Sequence, residues 1–182
     1  MPAHAPLPAP EQRALTLPDS EATEQLAQKL ATLILADAVP QTTAAGHGRP
    51  ARPVAHIHLQ GDLGAGKTCF ARALLRACGV QGRIKSPSYA LLESYKISSL
   101  YLHHLDFYRF SNSDEWLDAG FDELLLEPAL VLIEWPERAA GRLPPPDLLI
   151  GLDYATDPDP AAGRIARLTA YTMRGRTWLT HL

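Results

Sequence analysis

Residues 61–68 read Gly61-Asp62-Leu63-Gly64-Ala65-Gly66-Lys67-Thr68, a complete phosphate-binding loop of the form G-x-x-x-x-G-K-[ST]. The run Val54–Leu59 before it is apolar and strand-like, and Lys67–Cys78 after it is helix-like. Glycines let backbone N–H groups converge on phosphate oxygens, and a helix N-terminus adds partial positive charge. Lys67 is placed to reach the β- and γ-phosphates, and the Thr68 hydroxyl to ligate Mg²⁺. The strand–loop–helix setting implies an α/β fold whose first task is to bind a nucleoside triphosphate.

The rest of the chain agrees with a single domain. Its 182 residues suffice for one core. A net charge of −3 gives no global basic field to hold nucleic acid. If RNA is involved, a partner supplies much of the surface. No apolar run approaches bilayer length, and Met1–Pro10 lacks the charged-then-apolar pattern of a signal peptide, so a cytoplasmic home is expected. Cys69 and Cys78 lie nine residues apart in one expected helix. That places them ~13 Å apart on opposite faces, too far to pair.

Residues 1–12 are expected to be a disordered tail rich in Pro and Ala, with the ATPase-type domain over 13–172 and a C-terminal tail over 173–182. Arg13–Leu17 reads as a short strand. Asp19 or Ser20 then caps a helix with Leu26, Leu30, Leu33 and Ile34 on one face. Residues 41–53, with two glycines and two prolines, read as a surface loop. Ala90–Ile97 and Ser99–Leu105 suggest a hairpin, Ser111–Ala119 and Asp122–Leu126 short helices, and Ala129–Ile133 a strand covered on both faces. Leu148–Tyr154 and Arg164–Tyr171 read as late strands. The expected architecture is one P-loop NTPase-like domain with a mixed, mainly parallel central sheet flanked by helices.

A phosphate loop specifies binding, not reaction. A carboxylate from a neighbouring buried strand must complete the metal site. Glu134 ends the most apolar strand and Asp106 ends Tyr101–Leu105. Either could ligate the metal while the other orients an attacking water. Trp135 follows Glu134 and either caps the core or shapes the site. Tyr108 and Arg109 follow Asp106 and could bring a phenol and a guanidinium near phosphate. Ser86-Pro87-Ser88-Tyr89 is a polar turn whose hydroxyls could contact the γ-phosphate or its metal. His56 and His58 share one strand face, while His103 and His104 point to opposite faces. Without a third ligand these make no zinc site.

The loop, then Ser86-Pro87-Ser88-Tyr89, then His104-Leu105-Asp106-Phe107-Tyr108-Arg109, then Ile133-Glu134-Trp135-Pro136-Glu137 closely resemble, in order and spacing, the TsaE (YjeE) family. That family is the bacterial ATPase of tRNA threonylcarbamoyladenosine synthesis, and the likeness runs from about Leu15 to Tyr171. The resemblance implies Mg²⁺-dependent ATP hydrolysis in support of TsaD and TsaB, with tRNA reached indirectly through that complex. Carried over by position, Lys67 and Thr68 serve phosphate and metal, Glu134 is the metal-side acid, and Asp106 is the acid of an H-x-D-x-Y-R segment. Trp135 matches the tryptophan beside the metal-side acid, and Thr23 a threonine close to the nucleotide. The expected nucleotide-binding set is Thr23, Gly61, Asp62, Leu63, Gly64, Ala65, Gly66, Lys67, Thr68, Cys69, Ser88, Tyr108, Arg109 and Trp135. Thr68 and Glu134 are expected at the metal, and Asp106, Glu134 and Lys67 in catalysis. The family's S-P-T-[FY] segment carries Ser88 here, which keeps the hydroxyl and loses a methyl. The 41–53 connection looks longer than usual.

Two other readings use the same loop. A small-molecule kinase would need an arginine-rich lid, for which Arg138 and Arg142 are thin support. A non-hydrolysing, nucleotide-dependent docking module would bind without turnover. No N-K-x-D segment reads guanine, which argues against a GTPase.

Overall fold

Strand β2 (Ala55–Gln60) runs through the middle of a seven-stranded sheet and delivers the chain to the phosphate loop. The computed structural model describes residues 9–38, 54–98, 100–155 and 163–182. In chain order the elements are β1 (Glu11–Leu17), α1 (Ser20–Ala38), β2, α2 (Lys67–Ala77), β3 (Leu92–Ile97), β4 (Leu100–Asp106), α3 (Glu115–Asp118) and α4 (Phe121–Leu124). There follow β5 (Ala129–Glu134), a 3₁₀ turn (Pro136–Ala139), β6 (Leu148–Tyr154), β7 (Arg164–Ala170) and α5 (Met173–His181). The sheet order is β1-β7-β6-β2-β5-β4-β3. β6, β2, β5 and β4 are parallel to their neighbours within this group, while β3, β7 and β1 add antiparallel edges. The sheet is thus mixed with a parallel centre, as expected.

Burial explains the strand patterns. Every residue of β5 is buried, because helices α1 and α2 cover one face of the parallel centre and a smaller apolar layer covers the other. Leu102, Leu130 and Leu132 point into the first layer with Phe70 and Leu74 of α2. Leu105, Val131 and Ile133 point into the second, with Phe107, Phe110 and Trp116. A strand wetted on neither side needs no polar alternation. The edge strand β3 alternates between half-buried and exposed residues over most of its length.

Both expected tails differ where they are described. Glu11 and Gln12 belong to β1, whose ladder pairs them with Ala170 and Thr169 of β7. Met173–Leu182 is not a tail either. Thr172 caps α5 by accepting from the Gly175 N–H at 3.1 Å, and Trp178 and Leu179 are buried against the core. Trp178 Nε1–H donates to Asp37 of α1 at 2.8 Å. Gly175 lies so close to β6 that an added Cβ would sit 2.0 Å from the Asp147 carbonyl oxygen. The helix was hard to foresee because its apolar residues are few and late, whereas Met173–Thr177 is polar on every turn. Helix α3 begins later than expected because the Glu115 carboxylate reaches back to the Ser111 and Asn112 N–H groups and the Ser111 hydroxyl, holding them outside the helix. Residues 1–8 of the N-terminal tail and the 41–53 loop lie outside the described residues. Among the described residues, no helix is long and apolar enough to cross a membrane.

Candidate functional site

At the carboxyl end of β2 the chain turns through Gly61 at φ 139°, Gly64 at φ 80° and Gly66 at φ 110°, backbone conformations that side chains rarely permit. Gly61 also faces a steric wall, since a Cβ there would lie 2.3 Å from the Leu152 carbonyl oxygen. The Ala65 N–H closes on the Asp62 carbonyl at 3.1 Å, and Gly66 caps α2 in the left-handed conformation. The result is a loop that wraps the N-terminus of a helix, where unpaired N–H groups favour an anion.

Lys67 is buried and holds the loop's own carbonyls, with Nζ 2.5 Å from Gly61 O and 2.8 Å from Asp62 O. Its Nζ also lies 3.7 Å from the centre of the Trp135 ring. Burial pushes the Lys67 pKa down, opposed by the nearby carboxylates of Glu134, Glu137, Asp106 and Asp62. Burial likewise raises the carboxyl of Glu137 in the 3₁₀ turn, against the pull of Lys67 and Arg138. Trp135 holds its place at a cost. It adopts φ 59° directly before Pro136, a combination worth about 1–3 kcal/mol of strain, and its N–H is tied to Leu59 O at 3.1 Å.

Asp106 and Glu134 are register partners at the ends of β4 and β5, and both are essentially buried, at 2% and 1% exposure. Glu134 Oε2 accepts from the Thr68 hydroxyl at 2.8 Å. Its Oε1 lies 2.8 Å from His104 Nε2. Asp106 accepts from the Ser88 hydroxyl at 2.6 Å and from the Tyr108 N–H at 2.9 Å. Ser86 bonds Ser88 at 2.8 Å, extending the chain of hydroxyls. Hydroxyl, imidazole and amide donors satisfy these acids, and the structure records no guanidinium or ammonium in a salt bridge to either among the described residues.

The residues expected to act together therefore fall into two groups. Lys67, Thr68, Glu134, Trp135, Asp106, Ser88 and Tyr108 converge, with the Tyr108 and Trp135 rings 5.1 Å apart. Thr23 and Cys69 lie on the far side of the loop. They line a groove of about 300 Å³ with Leu17, Ala65, Gly66 and Arg164. Thr23 there donates its hydroxyl to the Asp19 carbonyl at 3.2 Å. The Asp62 side chain is exposed, and Leu63 is 71% exposed at the tip. Arg109 contacts the polar turn. Its Nε–H donates to the Ser88 carbonyl at 2.8 Å and its guanidinium stacks 4.1 Å from the Tyr89 ring centre, bracing the polar turn. Arg138 lies over the Trp135 and Tyr108 rings of the converging group, and Arg142 pairs with Asp114.

Two functional contacts escaped the sequence reading. Arg164 donates to Ala65 O at 3.0 Å and stacks on Tyr154, gripping the loop's carbonyls from β7. Only the fold brings residue 164 to residue 65, so no local signal marks it. His104 was visible as part of H-x-D, and period-two alternation puts it on the Asp106 face, which was the available clue.

The arrangement could seat a polyanion on the loop amides and Lys67, with a divalent cation between Thr68 and Glu134. A sequence profile described as "Threonylcarbamoyl adenosine biosynthesis protein TsaE" matches residues 17–162. The tRNA threonylcarbamoyladenosine biosynthesis protein TsaE of Haemophilus influenzae is 41% identical over 101 residues, which are 56% of this chain and 64% of that protein. Its namesake in Treponema pallidum is 39% identical over 101 residues, covering 56% of this chain and 74% of that one. The crystal structure of Bacillus YdiB superposes with a TM-score of 0.67 at 25% identity, over 95% of both chains. The chain belongs to the TsaE family of threonylcarbamoyl adenosine biosynthesis proteins.

Proposed function

We propose that this protein is a Mg²⁺-dependent ATP hydrolase, slow alone and stimulated by TsaB and TsaD. It supports their formation of N6-threonylcarbamoyladenosine beside the anticodon of tRNAs reading A-starting codons, in the cytoplasm. The observation that carries the hydrolase part is the 2.8 Å bond between the Thr68 hydroxyl and Glu134 Oε2, which joins the phosphate loop to a buried acid of the sheet. A hydroxyl and a carboxylate held together are the oxygen donors that magnesium prefers.

The residues suit such a ligand. Lys67 now bonds backbone carbonyls of its own loop, which a triphosphate would relieve by offering stronger acceptors. Bound Mg²⁺ would neutralise charge on the transferring phosphoryl group. Thr68 and Glu134 would hold it, and Lys67 would hold the phosphates. Asp106, already accepting two hydrogen bonds, keeps a fixed orientation from which it can align a water for attack. Partner stimulation is consistent with Arg109 being committed to the Ser86–Tyr89 turn, where its Nε–H donates to the Ser88 carbonyl and its guanidinium stacks on Tyr89. The TsaB and TsaD partnership rests on family membership.

ATP hydrolysis measured with and without the TsaB–TsaD pair tests this directly. Stimulation by the pair, lost in Lys67→Ala, is expected. Rapid turnover by the free chain, unchanged on adding the pair, would refute partner dependence. Phosphate appearing on a small molecule instead of in solution would point to the kinase reading.

A further inference from the structure

Glu134 spends its two oxygens on different neighbours, and the second neighbour has no assigned task. Oε2 meets Thr68, while Oε1 meets His104 Nε2 at 2.8 Å, with His104 fully buried and Glu134 at 1% exposure. We propose that His104 is a positioning residue for the metal site: its Nε2–H locks one oxygen of Glu134 so that the other alone is presented to Thr68 and a divalent cation. This rests on the proposed magnesium role of Glu134.

Three observations support it. His104 stands opposite Leu132 in the β4–β5 register, one pleat before the Asp106–Glu134 pair and on the same sheet face. An imidazole there spans the diagonal to Glu134 without leaving the layer. Next, the tautomer follows from the partners. An ionised carboxylate only accepts, so the proton must sit on Nε2. His104 Nδ1 is buried with no partner, so a proton placed there would be an orphan donor. Finally, Glu134 has a flexible side chain, and the Thr68 hydroxyl alone would leave it free to rotate. A second bond at the other oxygen makes the carboxylate orientation unique, which is what outer partners of metal ligands do. The neighbouring His103 serves as a contrast. It faces the other layer, bonded to Ser94 and to the half-exposed Glu127, and touches nothing in the site.

The test uses the full chain with ADP and Mn²⁺ as a magnesium probe, titrated by electron paramagnetic resonance. His104→Leu is expected to weaken Mn²⁺ binding about 10–100-fold while leaving metal-free ADP affinity within about twofold. His104→Gln, whose amide can reach the Nε2 position, should restore most of the loss. Unchanged Mn²⁺ affinity in His104→Leu, with Glu134→Gln weakened, overturns the positioning role and leaves the metal role of Glu134 standing. Unchanged affinity in Glu134→Gln overturns both. ¹⁵N NMR of the unaltered protein gives a second readout independent of any variant's folding. A proton on Nε2 of His104 is expected, and one on Nδ1 would overturn the proposal.

Discussion

Buried carboxylates sit at opposite ends of the sheet's parallel centre, and they differ in what surrounds their charge. At the amino end, Asp147 precedes β6 and is fully committed. Its Oδ2 accepts from the His56 N–H at 2.9 Å and from the Arg174 guanidinium at 2.5 Å, and its Oδ1 from the Thr172 hydroxyl at 2.6 Å. At the carboxyl end, Glu134 and Asp106 receive hydroxyl, imidazole and amide donors, with the Lys67 ammonium close by but bonded to carbonyls. An interior acid supplied with its own cation is a clasp. One supplied with neutral donors is poised for a cation from outside.

The clasp should break hardest. Asp147→Ala removes the acceptor shared by a guanidinium, a backbone N–H and a hydroxyl at the junction of α5 with the sheet, and should cost about 3 kcal/mol of unfolding free energy. Urea denaturation reads this. A loss below about 1 kcal/mol would mean that α5 is held by Trp178 and Leu179 instead, and the contrast between the two ends would fail.

Glu134→Gln should invert that pattern. Removing a charge that lacks a paired cation leaves stability within about 1 kcal/mol, while hydrolysis in the assembled complex falls about 10²–10³-fold, some 3–4 kcal/mol of barrier. Parallel denaturation and turnover assays decide it. Destabilisation equal to that of Asp147→Ala would make Glu134 a structural acid.

The two ends also differ in how legible they were. The carboxyl end was readable because its parts are local in sequence: residues 61–68, the S-P-S-Y turn, the H-x-D segment and the acid closing an apolar strand. Each motif states its own chemistry, and alternation along β4 and β5 places the acids side by side. The amino-end clasp joins residue 147 to 56, 172 and 174 through the fold, and nothing in residues 173–177 announces a helix that docks on the core. That is why α5 was expected as a tail, and why Arg164, which grips the loop from 99 positions away, went unforeseen.

Between the two ends lies a third kind of buried group. His58 of β2 is 6% exposed, and burial, with His56 adding repulsion, pushes its pKa down to about 3. The folded state refuses a proton that the unfolded chain accepts near pH 6.5. Stability is therefore complete above about pH 6.5 and is lost at about 1.4 kcal/mol per pH unit as pH falls toward 3. From pH 6.5 to 5 that is about 2 kcal/mol, and His56, whose pKa burial also lowers, adds in the same direction. His58→Leu should remove about one proton from the slope of unfolding free energy against pH. An unchanged slope would mean that His58 is protonated in the native protein.

The smallest effect isolates water as the variable. Arg167 and Asp153 form the same kind of pair as Arg174 and Asp147, with nitrogen and oxygen 2.8 Å apart, but their side chains are 64% and 48% exposed. Solvent screens the attraction and side-chain entropy offsets most of what remains, so Arg167→Ala should cost less than about 1 kcal/mol and nothing measurable in 1 M salt. The clasp at Asp147, at 5% exposure, should keep most of its contribution in that salt. If both pairs responded alike, burial would not be what gives the Asp147 clasp its strength, and the cost expected for Asp147→Ala would need another source.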